Sequence, residues 1–435
     1  MAEELEPSFE TLDPKATSDW NCEFINYRGK NLELSGIIKG LSIWESIYNN
    51  CMFGNIAIED GAGMVEANGI VGSGLEEVHF EILTPNTASE KSSNLEKEFK
   101  VDSITGGTKT AKYTSYNIGI TSPYAFINNQ KLISRSFQKM TASEIVEYVG
   151  MNIMEFGSKG VWTDFTVSPS LHEKNMVVPN WNPFQLINFL GKNSVSAKGE
   201  SNYLFFENND GFKFVTVDEL KDGDIMRAFT LKNMPTKVGQ SGLGFTVDNS
   251  MMEKYSEQQR FNISAGQVNG NYGSSILTHN ILEKSLESYE VEYDGEKDKI
   301  MAEGIGLNGP KDAPFSDYNV KQHNGFMSAN YLYNFHDKGE KSHYPHYDMK
   351  MTEMNANTIK FDVPGDTNTW AGDVVMLRIP THIHVHDVPE DQYMTGKWLV
   401  TAIHHKISNS GYTMTLECMK DGFFGDPDKV IEERG

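Results

Sequence analysis

Histidine is the residue type here with the most chemical reach, and one run concentrates it. His382-Ile-His384-Val-His386-Asp387 alternates imidazoles with β-branched residues. On an extended strand successive side chains take opposite faces, so the three rings share one face. Adjacent rings are then ~6.6 Å apart along the strand, close enough to share a metal ion, while the outer pair at ~13 Å is not. His382, His384 and His386, with Asp387, are thus the candidate ligands, two per ion at best. The competing reading is a solvated strand end or subunit contact, and the absence of any further ligand spacing favours it, so no metal site is expected. His404 and His405 are adjacent and face opposite ways, so they cannot chelate together. His336, His343 and His346 fall in a Lys/Asp-rich stretch, and no HExxH helical pair occurs.

Other chemistries lack their frames. Gly72-Ser73-Gly74 has no GxSxG surroundings, and residues 241–244, SGLG, lack the Lys-Ser/Thr ending of a phosphate-binding loop. Acid pairs such as Glu76-Glu77 and Glu432-Glu433 are commonplace among 60 acidic residues and specify no glycosidase dyad. Cys22, Cys51 and Cys418 contain no CxxC and read as buried small hydrophobes. The 20 methionines read as core filling, with partner surfaces as the second option. No catalytic or cofactor-binding residue emerges, so neither an enzyme nor a cofactor is expected.

Composition narrows the classes further. A net charge of −22 disfavours binding that works by neutralising nucleic-acid phosphates or anionic membranes. No apolar run approaches a membrane span, and MAEELEPSFE has no apolar core of a signal peptide, so no membrane anchor and folding in a reducing cytoplasm are expected. A length of 435 residues suggests about three domains.

The elements that must position these residues are mostly strands. Residues 1–19 read as a polar arm. Residues 20–122 carry short β-branched and aromatic runs between glycines, with 85–100, PNTASEKSSNLEKEFK, reading as a solvated loop. Residues 123–225 read as an α+β domain. Thr141-Ala-Ser-Glu144 is a capping box, and Ile145, Tyr148, Val149 and Ile153 line the face behind it, although Gly150 weakens that helix. Asn182 reads as an N-cap before Pro183. Tyr203–Phe206, Asn208-Asn209-Asp210-Gly211 and Phe212–Val217 read as a hairpin. Residues 226–355 form an inserted domain of unreadable fold, in which Ile276–Leu286 suits either a strand or a short helix. From 356 to 425 the β signal returns, and 426–435 is a tail.

The two β-rich ends share spacing. Val101-x-x-Ile104 leads after the same interval to Tyr113-Thr114 as Val400-x-x-Ile403 leads to Tyr412-Thr413. Upstream of each, a strand follows a glycine and ends in proline: Val78–Pro85 and Val374–Pro380. The expected fold class is α+β, mainly β, with two similar antiparallel β-barrel domains and inserted α+β domains. Trp398 is expected inside the second barrel beside Val400, with Leu399 turned away.

Four blocks in order resemble the baseplate hub subunit of contractile-tailed bacteriophages, the myoviruses. They are residues 37–60, 113–155, 178–218 (with its Pro-Trp helix and aromatic hairpin) and 357–422, the last with Pro364-Gly365-Asp366, Gly372-Asp373-Val374-Val375 and WLVTAIHHKISNSGYTMTLECMKDG. Residues 226–355 and the 85–100 loop do not match clearly. The resemblance implies a homotrimer whose two tube barrels per chain make a pseudo-six-fold ring in the virion baseplate. It implies as partners the central spike, the tail tube or its initiator, baseplate wedge proteins and the tape measure protein, with DNA passing unbound through the lumen after assembly in the host cytoplasm. Another tail-tip or injection-machine component, or a tail-associated metal-dependent hydrolase using the histidine strand, are the alternatives.

Overall fold

The structure is a computed structural model of the chain. It describes residues 19–68, 70, 75–83, 94–156, 164–231, 251–252, 254–260, 274–280, 285–291, 322–328, 351, 357–380, 391, 394–408 and 411–420.

The first half of a large sheet is built from β1 (Asp19–Ile25), β2 (Asn31–Glu33), β3 (Ile38–Ser46), β4 (Phe53–Asp60), β5 (Glu77–Leu83), β6 (Asn94–Lys109) and β7 (Thr114–Thr121), with the short helix α1 (Met64–Ala67) after β4. Its order is β3-β4-β7-β6-β5-β1-β2. Alternation places the strands: along β4, Gly54, Ile56, Ile58 and Asp60 face inward while the residues between are more exposed. Part of the expected 85–100 loop is in fact strand, because residues 94–100 pair with β5 in full register. Leu95, Lys97 and Phe99 point inward there.

Next come α2 (Pro123–Gln130), β8 (Ile133–Thr141), α3 (Ala142–Tyr148), β9 (Asp164–Val167), β10 (Glu173–Trp181), α4 (Pro183–Lys192), β11 (Tyr203–Glu207), β12 (Gly211–Thr216) and α5 (Val217–Lys221). Thr141 and Glu144 make the reciprocal capping box that starts α3. Asn182 begins α4 with no side-chain cap; Asn128 of α2 instead accepts the Phe184 amide at 2.8 Å. Beyond α3 the backbone widens into a π-turn over Val149–Met154. Phe156, Phe205 and Phe212 stack in this unit's own core.

Strands β13 (Ile225–Leu231), β14 (Met251–Met252) and β15 (Tyr255–Arg260) return to the large sheet. A separate small sheet follows, β16 (Ser274–Asn280), β17 (Ser285–Val291) and β18 (Gln322–Ser328), so the described residues within Ile276–Leu286 are strand. The second half ends with β19 (Asn357–Pro364), β20 (Val374–Arg378), β21 (Gly396–Ser408) and β22 (Gly411–Met419).

The two halves repeat each other strand for strand. Antiparallel β5-β6-β7 corresponds to β20-β21-β22, β4 corresponds to β19, and β3 to β15. Even a bulge recurs, between Val101 and Ser103 in β6 and between Val400 and Ala402 in β21. The flanks differ: β1 joins β5 antiparallel, whereas β13 joins β20 parallel.

Among the described residues the strands do not close into two separate barrels. One 14-stranded sheet runs open from β14 to β2 through an antiparallel ladder between β21 and β3. The cause is strand length. β21 has 13 residues and β20 has 5, so the edge of β21 outruns β20 and takes β3 beyond it. One apolar core then serves both halves, from Leu41, Ile56, Phe80 and Phe99 to Phe361, Trp398, Val400 and Leu416.

Candidate functional site at the joint between the sheet halves

The β21–β3 ladder sets His405 opposite Ile43 and Ile403 opposite Glu45. Glu45 and His405 are each 2% exposed. His405 Nε2 lies 3.2 Å from Glu45 Oε1, and His405 Nδ1 lies 2.8 Å from the Tyr412 hydroxyl, which also donates to the Asp366 carbonyl at 3.3 Å. Asp366 in turn holds Arg227 of β13 in an ion pair and accepts from Thr369 Oγ1 at 3.3 Å. Burial pulls Arg227 down to about 10. A polar chain therefore threads from the first half into the second through side chains that water hardly reaches, where lost partners cost most.

On the opposite face of the ladder, Trp44 stacks on His404 with centroids 4.2 Å apart and on Phe53 at 5.4 Å. Burial, then the neighbouring Lys406 and His405, pulls His404 down to about 4, so this ring is neutral in its stack near neutral pH. As the alternation requires, His404 and His405 face apart.

The α+β unit docks at the same place through the end of β11. Glu207 accepts from the Met52 amide at 3.0 Å and the Ser122 hydroxyl at 3.1 Å. Lys97 of β6 donates to the Asn208 carbonyl at 3.1 Å, and Asn208 Nδ2 donates to the Ala371 carbonyl at 3.1 Å. Two adjacent residues thus tie the unit to both halves. Burial raises Glu207 and lowers Lys97. Around them Ile47, Phe206, Val374, Leu399 and Met419 form a third apolar cluster drawn from all three parts. Asp373, which accepts the Trp370 amide at 2.8 Å, is pushed up to about 6 by burial, with Glu45 adding to it.

This arrangement holds units together; it brings no nucleophile, base and oxyanion donor into one opening. His382, His384, His386 and Asp387 lie outside the described residues, as do His336, His343, His346, Ser73 and residues 241–244. Cys22 and Cys418 are buried, and burial raises both thiols. Among the described residues the ligand atoms of Glu77, His79 and Glu98 come within 4.8 Å of one another. Sequence reading missed that group because only the β5–β6 register sets Glu98 opposite His79. Glu77 there is already paired with Lys100 at 3.4 Å.

No family model matches the chain. Over 435 residues it is 21% identical to the probable baseplate hub protein gp334 of Vibrio phage KVP40, covering 95% of this chain and 97% of that protein. The chain is similar to a phage baseplate hub protein over nearly its whole length. Its fold is that of solved tail proteins. The 43 kDa tail protein of prophage MuSo2 from Shewanella oneidensis superposes with a TM-score of 0.55 at 7% identity, over 93% of this chain and 100% of that one. The tail protein from Neisseria meningitidis MC58 gives 0.52 at 8% identity, over 93% and 99%.

Proposed function

We propose that this chain is the hub subunit of a contractile-tail baseplate and acts by assembly, without catalysis. The observation that carries the reading is the nearly full-length similarity to a baseplate hub protein. The internal repeat supports it. A subunit with two equivalent β units lets a threefold ring present six near-equivalent surfaces, so a trimeric spike can mate with a hexameric tube. Three copies form the ring, each half serving as one β unit of the tube. The spike, the tail tube or its initiator, wedge proteins and the tape measure protein are its partners in the virion. A chain of net charge −22 repels DNA, which then slides through the lumen instead of sticking.

Negative-stain imaging of the purified protein, alone and with a candidate central spike protein, tests this. Rings with a central hole and threefold or pseudo-sixfold symmetry are expected. Compact particles without a hole in both samples would overturn the reading.

A further inference from the structure

The cluster of Glu77, His79 and Glu98 belongs to β5 and β6, outside the joint between the halves. Alternation along β5 sends Val78, Phe80 and Ile82 into the core and leaves Glu77, His79 and Glu81 on the other face. Along β6 the same alternation leaves Glu96, Glu98 and Lys100 there. The ladder registers then assemble the group. His79 lies opposite Glu98 of β6 and opposite Glu23 of β1, and Glu77 precedes it by two residues on the same face. The imidazole thus stands in a row between two carboxylates, with a third beside it. Two residues along that face Glu81 lies directly opposite Glu96, a like-charge pairing that weakens a ladder and that a nearby cation offsets.

The spacing is that of ligands rather than of hydrogen-bond partners. His79 Nε2 is 3.8 Å from Glu98 Oε1, too far for a hydrogen bond. Two donors each ~2.1 Å from one tetrahedral ion stand about 3.4 Å apart. The donor atoms of the trio, all within 4.8 Å of one another, reach that spacing by small side-chain rotations. The nitrogen itself supplies a separate observation. Part of the His79 ring is open to water, yet Nε2 is buried and has no hydrogen-bond partner. A buried polar atom left unmet is costly. This one is aimed at a carboxylate, which has no proton to give when ionised, so a cation is the partner both can share. Lys100 already meets Glu77 at 3.4 Å, but as a point charge on a flexible stem it can turn out to water when an ion takes that carboxylate.

We propose that Glu77, His79 and Glu98 bind one divalent ion of the zinc class, with water completing the coordination, and that the ion staples β5 to β6. One imidazole with two carboxylates and no thiolate suits zinc and its transition-metal neighbours. The imidazole counts against calcium and magnesium, which take oxygen ligands. The site is separate from the His382–His386 run, and it goes beyond the hub reading without depending on it.

Calorimetric titration of the chelator-treated full chain with zinc chloride tests the site. The His382–His386 run is a competitor, so the titration is repeated in H382A/H384A/H386A. That variant is expected to keep one equivalent of zinc. Adding H79A or E98Q, in either background, should weaken this equivalent by more than about tenfold, since even the loss of a supporting partner costs that much. E96Q, a carboxylate on the same face outside the trio, should leave the stoichiometry unchanged. K100M, which removes the competitor for Glu77, should tighten binding. Zinc should also raise the melting temperature of the parent and not that of H79A. Equal zinc binding by the parent, H79A and E98Q would overturn the site. Calcium binding as tight as zinc would overturn the zinc-class assignment and leave only a general attraction of cations to the acidic face.

Discussion

Trp398 is 1% exposed and does three things at once. Its indole N–H donates to the Met394 carbonyl at 2.9 Å, its ring packs in the core with Val400, and the Lys420 ammonium sits 5.6 Å above it. Leu399 turns to the other side, into the cluster with Phe206 and Met419. Trp398→Ala is expected to cost about 3–5 kcal/mol, read by denaturant unfolding, because the surroundings cannot collapse into so large a void. Asp373 sets a pH dependence. Its folded value of about 6 lies above the ~3.9 of an unfolded aspartate, so between those values the folded chain keeps a proton that the unfolded chain releases. The contribution of Asp373 to stability therefore falls as pH rises from about 4 through 6 and stays lower above that. Asp373→Asn keeps an acceptor for the Trp370 amide and removes the buried charge. It should be more stable than the parent by about 1–2 kcal/mol at neutral pH, with the gap closing towards pH 4. Equal gaps in melts at both pH values would contradict this.

At the scale of elements, what could be read from sequence was what neighbours in the chain decide. The α3 start is legible because the capping box lies within four residues, and the β11–β12 hairpin because its turn residues are contiguous. The π-turn after α3 is not, and the glycine inside it is required by residues remote in the chain. A Cβ at Gly150 would stand 2.3 Å from the Phe165 ring and 2.9 Å from that of Phe156. Gly150→Ala should thus lower stability by about 1–3 kcal/mol despite alanine's better helix propensity, and a rise in melting temperature would show that the rings can yield. The first part of β6 was hidden by a single residue. In Leu95-Glu96-Lys97-Glu98-Phe99 the inward position is a lysine, which breaks the apolar alternation. It is tolerated because Asn208 and Glu207 of a distant hairpin meet its charge. The joint was equally unreadable: Glu45 and His405 are 360 residues apart, and neither residue announces the other.

For the whole molecule, the repeat visible as shared spacing is a shared strand order, but the halves are fused where two barrels were expected. The excess length of β21 decides this, and length of pairing is a property of two strands together that one strand's sequence does not disclose. The α+β unit adds a third party at the fusion, with Glu207 and Asn208 reaching both halves. The β3–β21 ladder has a further consequence for how the protein is made. Residues 40–46 leave the ribosome long before residues 402–408 exist to pair with them. At about 5–20 residues per second, the 360 residues between Glu45 and His405 take on the order of tens of seconds to synthesise. Throughout that time the nascent first half presents an unsatisfied strand and an incomplete core, and its contacts of greatest sequence separation form last. Chaperone dependence during translation, and misfolding of chains truncated before Gly396, are the expected consequences of joining both ends of the protein in one sheet.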